Sequence, residues 1–99
     1  MKDRILVLQD FFERNTGRPL MIYQGDYSSG YSMYAGDETV QMTTIRNNEL
    51  RVKVKESEDI NIFEEKLISN LEVNDERVRV TFYGYESRYV EYHSRAMYK

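Results

Sequence analysis

The sequence predicts an α+β fold: a small single domain in which an antiparallel sheet of four to six strands carries two helices, in the order α-β-(β)-β-β-α-β-β. Its 99 residues suffice for one domain and are too few for two, so residues 1–99 are expected to form one compact unit. Apolar residues recur at helical spacing in two segments and alternate with polar residues in two others. Both helices are expected on one face of the sheet, which leaves the other face exposed or available to a partner.

The first helix is predicted over residues 3–15, and the first strand over residues 19–24. Between them, Gly17 can take the left-handed conformation that closes a helix, and Pro19 stands where a helix cannot continue. The helix is predicted from apolar residues at three- and four-residue spacing, which are Ile5, Leu8, Phe11 and Phe12.

Residues 24–38, QGDYSSGYSMYAGDE, contain little that a core could use. The segment holds three tyrosines, three glycines and three serines, and it is predicted to be a surface loop with a second short strand within residues 30–36. Tyrosine offers a large, stiff contact surface at a small entropic cost, and serine and glycine adapt around it. The composition therefore indicates a contact surface.

Residues 38–56 are predicted to form a β-hairpin that turns at Asn47-Asn48, a pair that tolerates positive φ. The second strand alternates apolar with cationic residues, but the register of the first strand stays open. A two-residue loop would place Ile45 and Thr43 beside Leu50 and Val52. A slip of one residue would place Met42 and Val40 on that face instead.

A second helix is predicted over residues 57–72, with a buried stripe formed by Ile60, Phe63, Leu67 and Leu71. The chain then turns into a final hairpin over residues 77–93. Its first strand is expected to have an inward face of Val78, Val80 and Phe82 and an outward face of Arg77, Arg79, Thr81 and Tyr83. The return strand is expected to carry Val90 and Tyr92 on one side and Tyr89, Glu91 and His93 on the other.

The composition argues against an enzyme. The chain has no cysteine, which excludes disulfides, thiolate nucleophiles and zinc-thiolate sites, and its one histidine is His93. The segment from Gly25 to Ser32 has the spacing of a phosphate-binding loop, but Tyr31 stands where that loop needs a lysine. We therefore predict a non-enzymatic protein with no catalytic residues, no metal site and no cofactor. Chemistry by carboxylates or by His93 is the weakest alternative.

The charge distribution and the apolar runs bear on location and partners. No apolar run reaches the roughly 18–20 residues of a membrane span, and no signal-peptide pattern opens the sequence, so a cytoplasmic protein without a membrane partner is predicted. The net charge is −3, and residues 56–76 carry eight acidic groups against one basic group. This segment is interpreted as a solvated helix face, with imitation of nucleic acid as the alternative.

The tyrosines suggest a protein-binding site. All nine lie in two clusters, four between residues 23 and 34 and five between residues 83 and 98. We predict a non-catalytic protein, such as a phage or mobile-element inhibitor or adaptor, that occludes a host protein. Packing between neighbouring strands is the alternative role for the same rings. The predicted site consists of Tyr23, Asp26, Tyr27, Tyr31, Tyr34 and Asp37.

The final hairpin suggests a different partner, single-stranded nucleic acid. Arginines interleaved with aromatic rings supply cations for phosphate and faces for base stacking. Glu86 and Glu91 interrupt this patch, and the net charge of the chain is negative. An exposed sheet face or edge also leaves a homodimer open. The alternative nucleic-acid site consists of Arg77, Arg79, Tyr83, Tyr85, Arg88 and Tyr89.

Overall fold

A computed structural model describes residues 3–94 of the protein. These residues form mostly β-structure. Within these residues, seven antiparallel strands form one curled half-barrel sheet that packs against a single α-helix. The sheet order is β4-β3-β2-β1-β7-β6-β5. The elements in chain order are α1 (Asp3–Arg14), β1 (Pro19–Asp26), β2 (Tyr31–Arg46), β3 (Glu49–Val54), β4 (Ile60–Glu64), a 3₁₀ turn (Glu65–Leu67), β5 (Ile68–Val73), β6 (Arg77–Phe82) and β7 (Arg88–Ser94).

The predicted second helix over residues 57–72 is wrong, and with it the prediction of four to six strands and two helices. Residues 60–64 and 68–73 form the two edge strands of the sheet, joined by the 3₁₀ turn. β-branched residues favour the pleated conformation, and both segments find a hydrogen-bonding neighbour elsewhere in the chain, β3 for β4 and β6 for β5. The expected helical stripe does not form, because Ile60 and Leu67 are exposed whereas Phe63 and Ile68 are buried.

Of the prediction for residues 24–38, the strand within residues 30–36 is confirmed as the start of β2, but the long surface loop is wrong. Strand β1 continues to Asp26 and strand β2 begins at Tyr31, so the segment is a β-hairpin with a four-residue turn. Asp26 organises the turn, because its Oδ1 accepts hydrogen bonds from the backbone N–H and the hydroxyl of Ser28 at 2.8 and 2.6 Å. Alternating polar and aromatic residues thus form strands here, since each strand is paired along its length.

The first helix and its end are confirmed. Its apolar side is fully buried against one face of the sheet, and the backbone N–H of Gly17, at φ +84°, donates a hydrogen bond to the carbonyl of Val40. This face, which α1 covers, is called the core face. The core consists of Ile5, Leu8, Phe11, Phe12, Leu20, Val40, Leu50, Val52, Val54, Phe63, Ile68, Val78, Val80 and Tyr92. No helix within residues 3–94 is long and apolar enough to cross a bilayer.

The hairpin of β2 and β3 resolves the register that the sequence leaves open. Asn47 and Asn48 both have positive φ, at 54° and 61°, and Ile45 lies opposite Leu50, as the two-residue loop requires. A β-bulge between Val40 and Met42 then shifts the pairing by one residue. Val40 is buried in the core as a result, so each of the two alternative registers holds over part of the strand.

The final hairpin is confirmed, with two corrections to its outward face. Thr81 is buried, in contrast to the half-buried Arg77 and Arg79 of the same strand. Tyr83 lies beyond the end of β6, in the turn, where its backbone N–H donates to the carbonyl of Leu67 at 2.9 Å.

Candidate interaction face

The strand order brings parts of the two sites predicted from the sequence onto one surface. β2, β1, β7 and β6 are consecutive neighbours in the sheet, although β1 and β7 are far apart in the chain. Tyr34 on β2 lies opposite Tyr23 on β1, Tyr23 lies opposite Glu91 on β7, and Glu91 lies opposite Arg79 on β6. These four side chains form a row on the side of the sheet opposite α1, called the open face.

Glu91 lies at the centre of the open face and binds three basic side chains. Its Oε2 accepts a hydrogen bond from Nε of Arg79 at 2.7 Å and pairs with Nη1 of Arg77 at 3.4 Å. Its Oε1 lies 2.9 Å from Nε2 of His93. Burial by itself raises the pKa of Glu91, but hydrogen bonds from His93 and Arg79 and the charge of Arg79 outweigh it, so the pKa lies below the ordinary value. The carboxylate is therefore ionised at neutral pH and holds these side chains in place.

An aromatic pair packs on the other side of Arg79. Its guanidinium carbon lies 4.0 Å from the ring centroid of Tyr89 and 5.6 Å from that of Tyr27. The two ring centroids are 4.9 Å apart. Arg79 is thus held by ring faces and a carboxylate at once, which leaves its side chain little conformational freedom.

Gly25 makes room for this aromatic pair. A Cβ atom built on Gly25 would lie 2.0 Å from Cζ of Tyr89, far inside van der Waals contact. The ring of Tyr89 therefore packs directly on the backbone of β1, and any larger residue at position 25 would displace it.

A second aromatic group continues the row toward β2. The ring of Tyr23 lies 5.1 Å from His93 and 5.6 Å from Tyr34 between ring centroids. The hydroxyl of Tyr34 donates a hydrogen bond to the carboxylate of Asp37. The open face therefore carries a connected network across four strands, called the tyrosine network, which consists of Tyr23, Tyr27, Tyr34, Asp37, Arg77, Arg79, Tyr89, Glu91 and His93.

The structure separates two members of the predicted protein-binding site from the other four. Tyr31 lies opposite Asp26 in the β1–β2 ladder, and strand alternation directs both residues to the core side of the sheet. Asp26 has a lowered pKa because hydrogen bonds from the side chain and backbone of Ser28 stabilise its charged form. Its carboxylate is thus engaged in the turn, while Tyr31 remains exposed.

The alternative nucleic-acid site is divided between the two sides of the sheet. Arg77, Arg79 and Tyr89 belong to the tyrosine network on the open face. Tyr83 and Tyr85 lie in the β6–β7 turn. Arg88 lies opposite Asp26 in the β1–β7 ladder, so its side chain points to the core side. The cationic strand β3 does not extend this patch, because β2, β1 and β7 lie between β3 and β6.

Sequence reasoning missed the part that Glu91 and His93 play. In the sequence, Glu91 interrupts a basic patch, and His93 is the one histidine and belongs to the weakest alternative, that of an enzyme. The sequence signal is that Glu91 and His93 alternate along the strand with Tyr89 and so share its face. This signal identifies their neighbours only once β7 is known to lie between β1 and β6. Among residues 3–94, no group of three or more acidic, histidine or cysteine side chains is arranged to hold a metal ion.

Comparison of the chain with protein-family models, with curated proteins and with solved structures finds no match. The geometry of the open face is accordingly the basis for the function proposed below.

Proposed function

We propose that this protein acts without catalysis by binding another protein through its open face, as an inhibitor or adaptor. The observation that supports this proposal is the tyrosine network. Tyr27 and Tyr34 are 45% and 50% exposed, yet each is held against neighbouring aromatic rings. Tyrosines and arginines fixed before binding lose little entropy when a partner covers them, and they are the residue types that dominate the energetics of protein interfaces.

The charge arrangement favours a protein partner over single-stranded nucleic acid. Arg79 and Arg77 share the single carboxylate of Glu91, so a phosphate would have to compete with a buried carboxylate for them. The net charge of −3 also opposes a polyanion at long range. A protein surface can contact the exposed rings of Tyr27 and Tyr34, which their neighbours hold in place.

The partner would be occluded by contact with the tyrosines, with Asp37 as a polar group at the rim. A host protein targeted by a phage or mobile element is the class of partner that small size and composition suggest. In this proposal Tyr31 and Asp26 no longer belong to the contact surface, because they lie on the other side of the sheet.

The experiment is an affinity capture from a lysate of the source cell, with and without nuclease and at high salt. The full chain is compared with a Tyr27→Ala/Tyr34→Ala variant and with Tyr31→Ala, a matched control in the same hairpin. We expect a stoichiometric protein that resists nuclease and salt, that the double variant loses and that Tyr31→Ala retains. Capture that nuclease abolishes, or that the double variant keeps, would contradict the proposal. Melting temperatures distinguish lost contact from lost folding.

A further inference from the structure

A cavity of about 380 Å³ lies on the core side of the sheet, away from the open face. No residue of α1 lines it. Its walls come from β1, the 3₁₀ turn, the end of β6, the β6–β7 turn and β7, and its apolar surface includes Leu67, Phe82, Tyr83, Tyr85 and Val90. The sheet therefore curls around more space than its one helix fills.

The lining of this cavity has the character of a small-ligand site. Such sites have volumes of about 300–1,000 Å³, are mostly apolar and carry a few polar groups that orient the ligand. Leu67, Tyr83 and Tyr85 are exposed at the cavity, although burying their apolar surface would be favourable. A ligand of one or two rings would cover part of this surface.

Arg88 supplies the charge at the rim. It is exposed, and no carboxylate within residues 3–94 lies within ion-pair distance of its guanidinium. Asp26, which lies opposite Arg88 in the β1–β7 ladder, interacts with it electrostatically from beyond ion-pair distance, and its carboxylate is already hydrogen-bonded to Ser28. A guanidinium that has no carboxylate within ion-pair distance and lies beside an apolar cavity is complementary to an anion that carries an apolar body.

We propose that this cavity binds a small apolar molecule that bears one carboxylate or comparable anionic group. The apolar body lies against Leu67, Phe82 and Val90, and the anion contacts Arg88. This site lies on the opposite side of the sheet from the protein-binding face. Tyr89 is the one member of the tyrosine network that lines it.

The test uses two fluorescent probes with the full chain: anilinonaphthalene sulfonate, which is anionic, and N-phenyl-1-naphthylamine, its uncharged analogue. We expect both to bind saturably at one site per chain. Arg88→Gln should weaken the anionic probe about tenfold, since a charge-assisted contact is lost, and change the neutral probe by less than about twofold. Arg46→Gln, an exposed arginine at the far end of β2, is the matched control and should change neither.

Amide chemical shifts recorded with the anionic probe give a second readout that needs no variant. Shift changes confined to Gln24, Leu67 and the segment 82–90 would support the proposal. No saturable binding of either probe, an Arg88→Gln variant that affects both probes equally or neither, or shift changes centred on Tyr23 and His93 would each overturn it.

Discussion

Replacing Glu91 by glutamine tests whether the ion network holds the open face together. The substitution keeps the size of the side chain and removes its charge. Arg79, whose side chain is 20% exposed, would then lose its carboxylate partner at 2.6 Å, while Arg77, at 42%, would remain largely solvated. Breaking a buried pair by removing one partner costs about 3–5 kcal/mol, and exposed pairs contribute about 0–1 kcal/mol. Because Arg79 keeps its ring contacts and some solvent, we expect a loss of about 3 kcal/mol in the free energy of unfolding at pH 7.

The pH dependence of this loss has a definite sign. Burial raises the pKa of Glu91, but hydrogen bonds from His93 and Arg79 lower it below the ordinary value of 4.5. A carboxyl group with a depressed folded-state pKa contributes stability that is complete above its unfolded pKa and is lost as pH falls through its folded pKa. Glutamine does not titrate, so the difference between the wild type and Glu91→Gln should be constant near neutrality and narrow below about pH 4.5.

The assay is urea denaturation followed by circular dichroism at intervals from pH 7 to pH 3. Glu86→Gln is the matched control, since Glu86 is exposed in the β6–β7 turn, and it should change stability by less than about 0.5 kcal/mol. Equal stability of Glu91→Gln and the wild type at pH 7, or a difference that does not vary with pH, would refute the reasoning.

Three further predictions concern packing and turns. Gly25→Ala should lower the free energy of unfolding by about 1–3 kcal/mol, because the added Cβ would overlap the ring of Tyr89. The same change in a Tyr89→Ala background should cost much less, and equal losses in the two backgrounds of this double-mutant cycle would contradict the contact. Ile68→Ala should lower the free energy of unfolding by about 2–5 kcal/mol and Leu67→Ala by less than about 1 kcal/mol, because Ile68 is 0% exposed and Leu67 is 44% exposed. If thermal denaturation showed the reverse order, it would favour a helix over residues 57–72. Asn48→Val should cost about 1–2 kcal/mol, because asparagine tolerates the φ of 61° at this position and a β-branched residue does not, whereas Asn48→Gly should be neutral or stabilising. A tolerated valine in the same denaturation assay would contradict the turn geometry.

The elements that the sequence predicts correctly are those whose signals are local. Helix α1 is defined by its own apolar spacing and by Gly17, and the β2–β3 turn is defined by Asn47 and Asn48. The error over residues 57–72 has a physical cause. Two short strands joined by a 3₁₀ turn place apolar residues at three- and four-residue intervals, as a helix does. Their strand character depends on partners, β3 and β6, that local spacing cannot reveal.

The candidate site could be predicted only in part, for a related reason. Composition identifies the tyrosines and arginines, but their common face depends on the pairing of β1 with β7, which joins Tyr23 to Glu91. Strand order is a property of the whole chain. The placement of Tyr27 and Tyr31 on opposite sides of the sheet depends on the β1–β2 ladder in the same way.

The pairing of β1 with β7 also bears on how the chain folds during synthesis. Strands β1 to β4 are made in the order in which they stand in the sheet, so they can form a continuous meander as they leave the ribosome. The hydrogen-bonding edge of β1 stays unpaired until β7, the last of the described strands to be made, closes the centre of the sheet. Such distant pairing slows folding and leaves a strand edge open to other chains in the meantime. We therefore expect aggregation during expression to depend on how fast β7 docks.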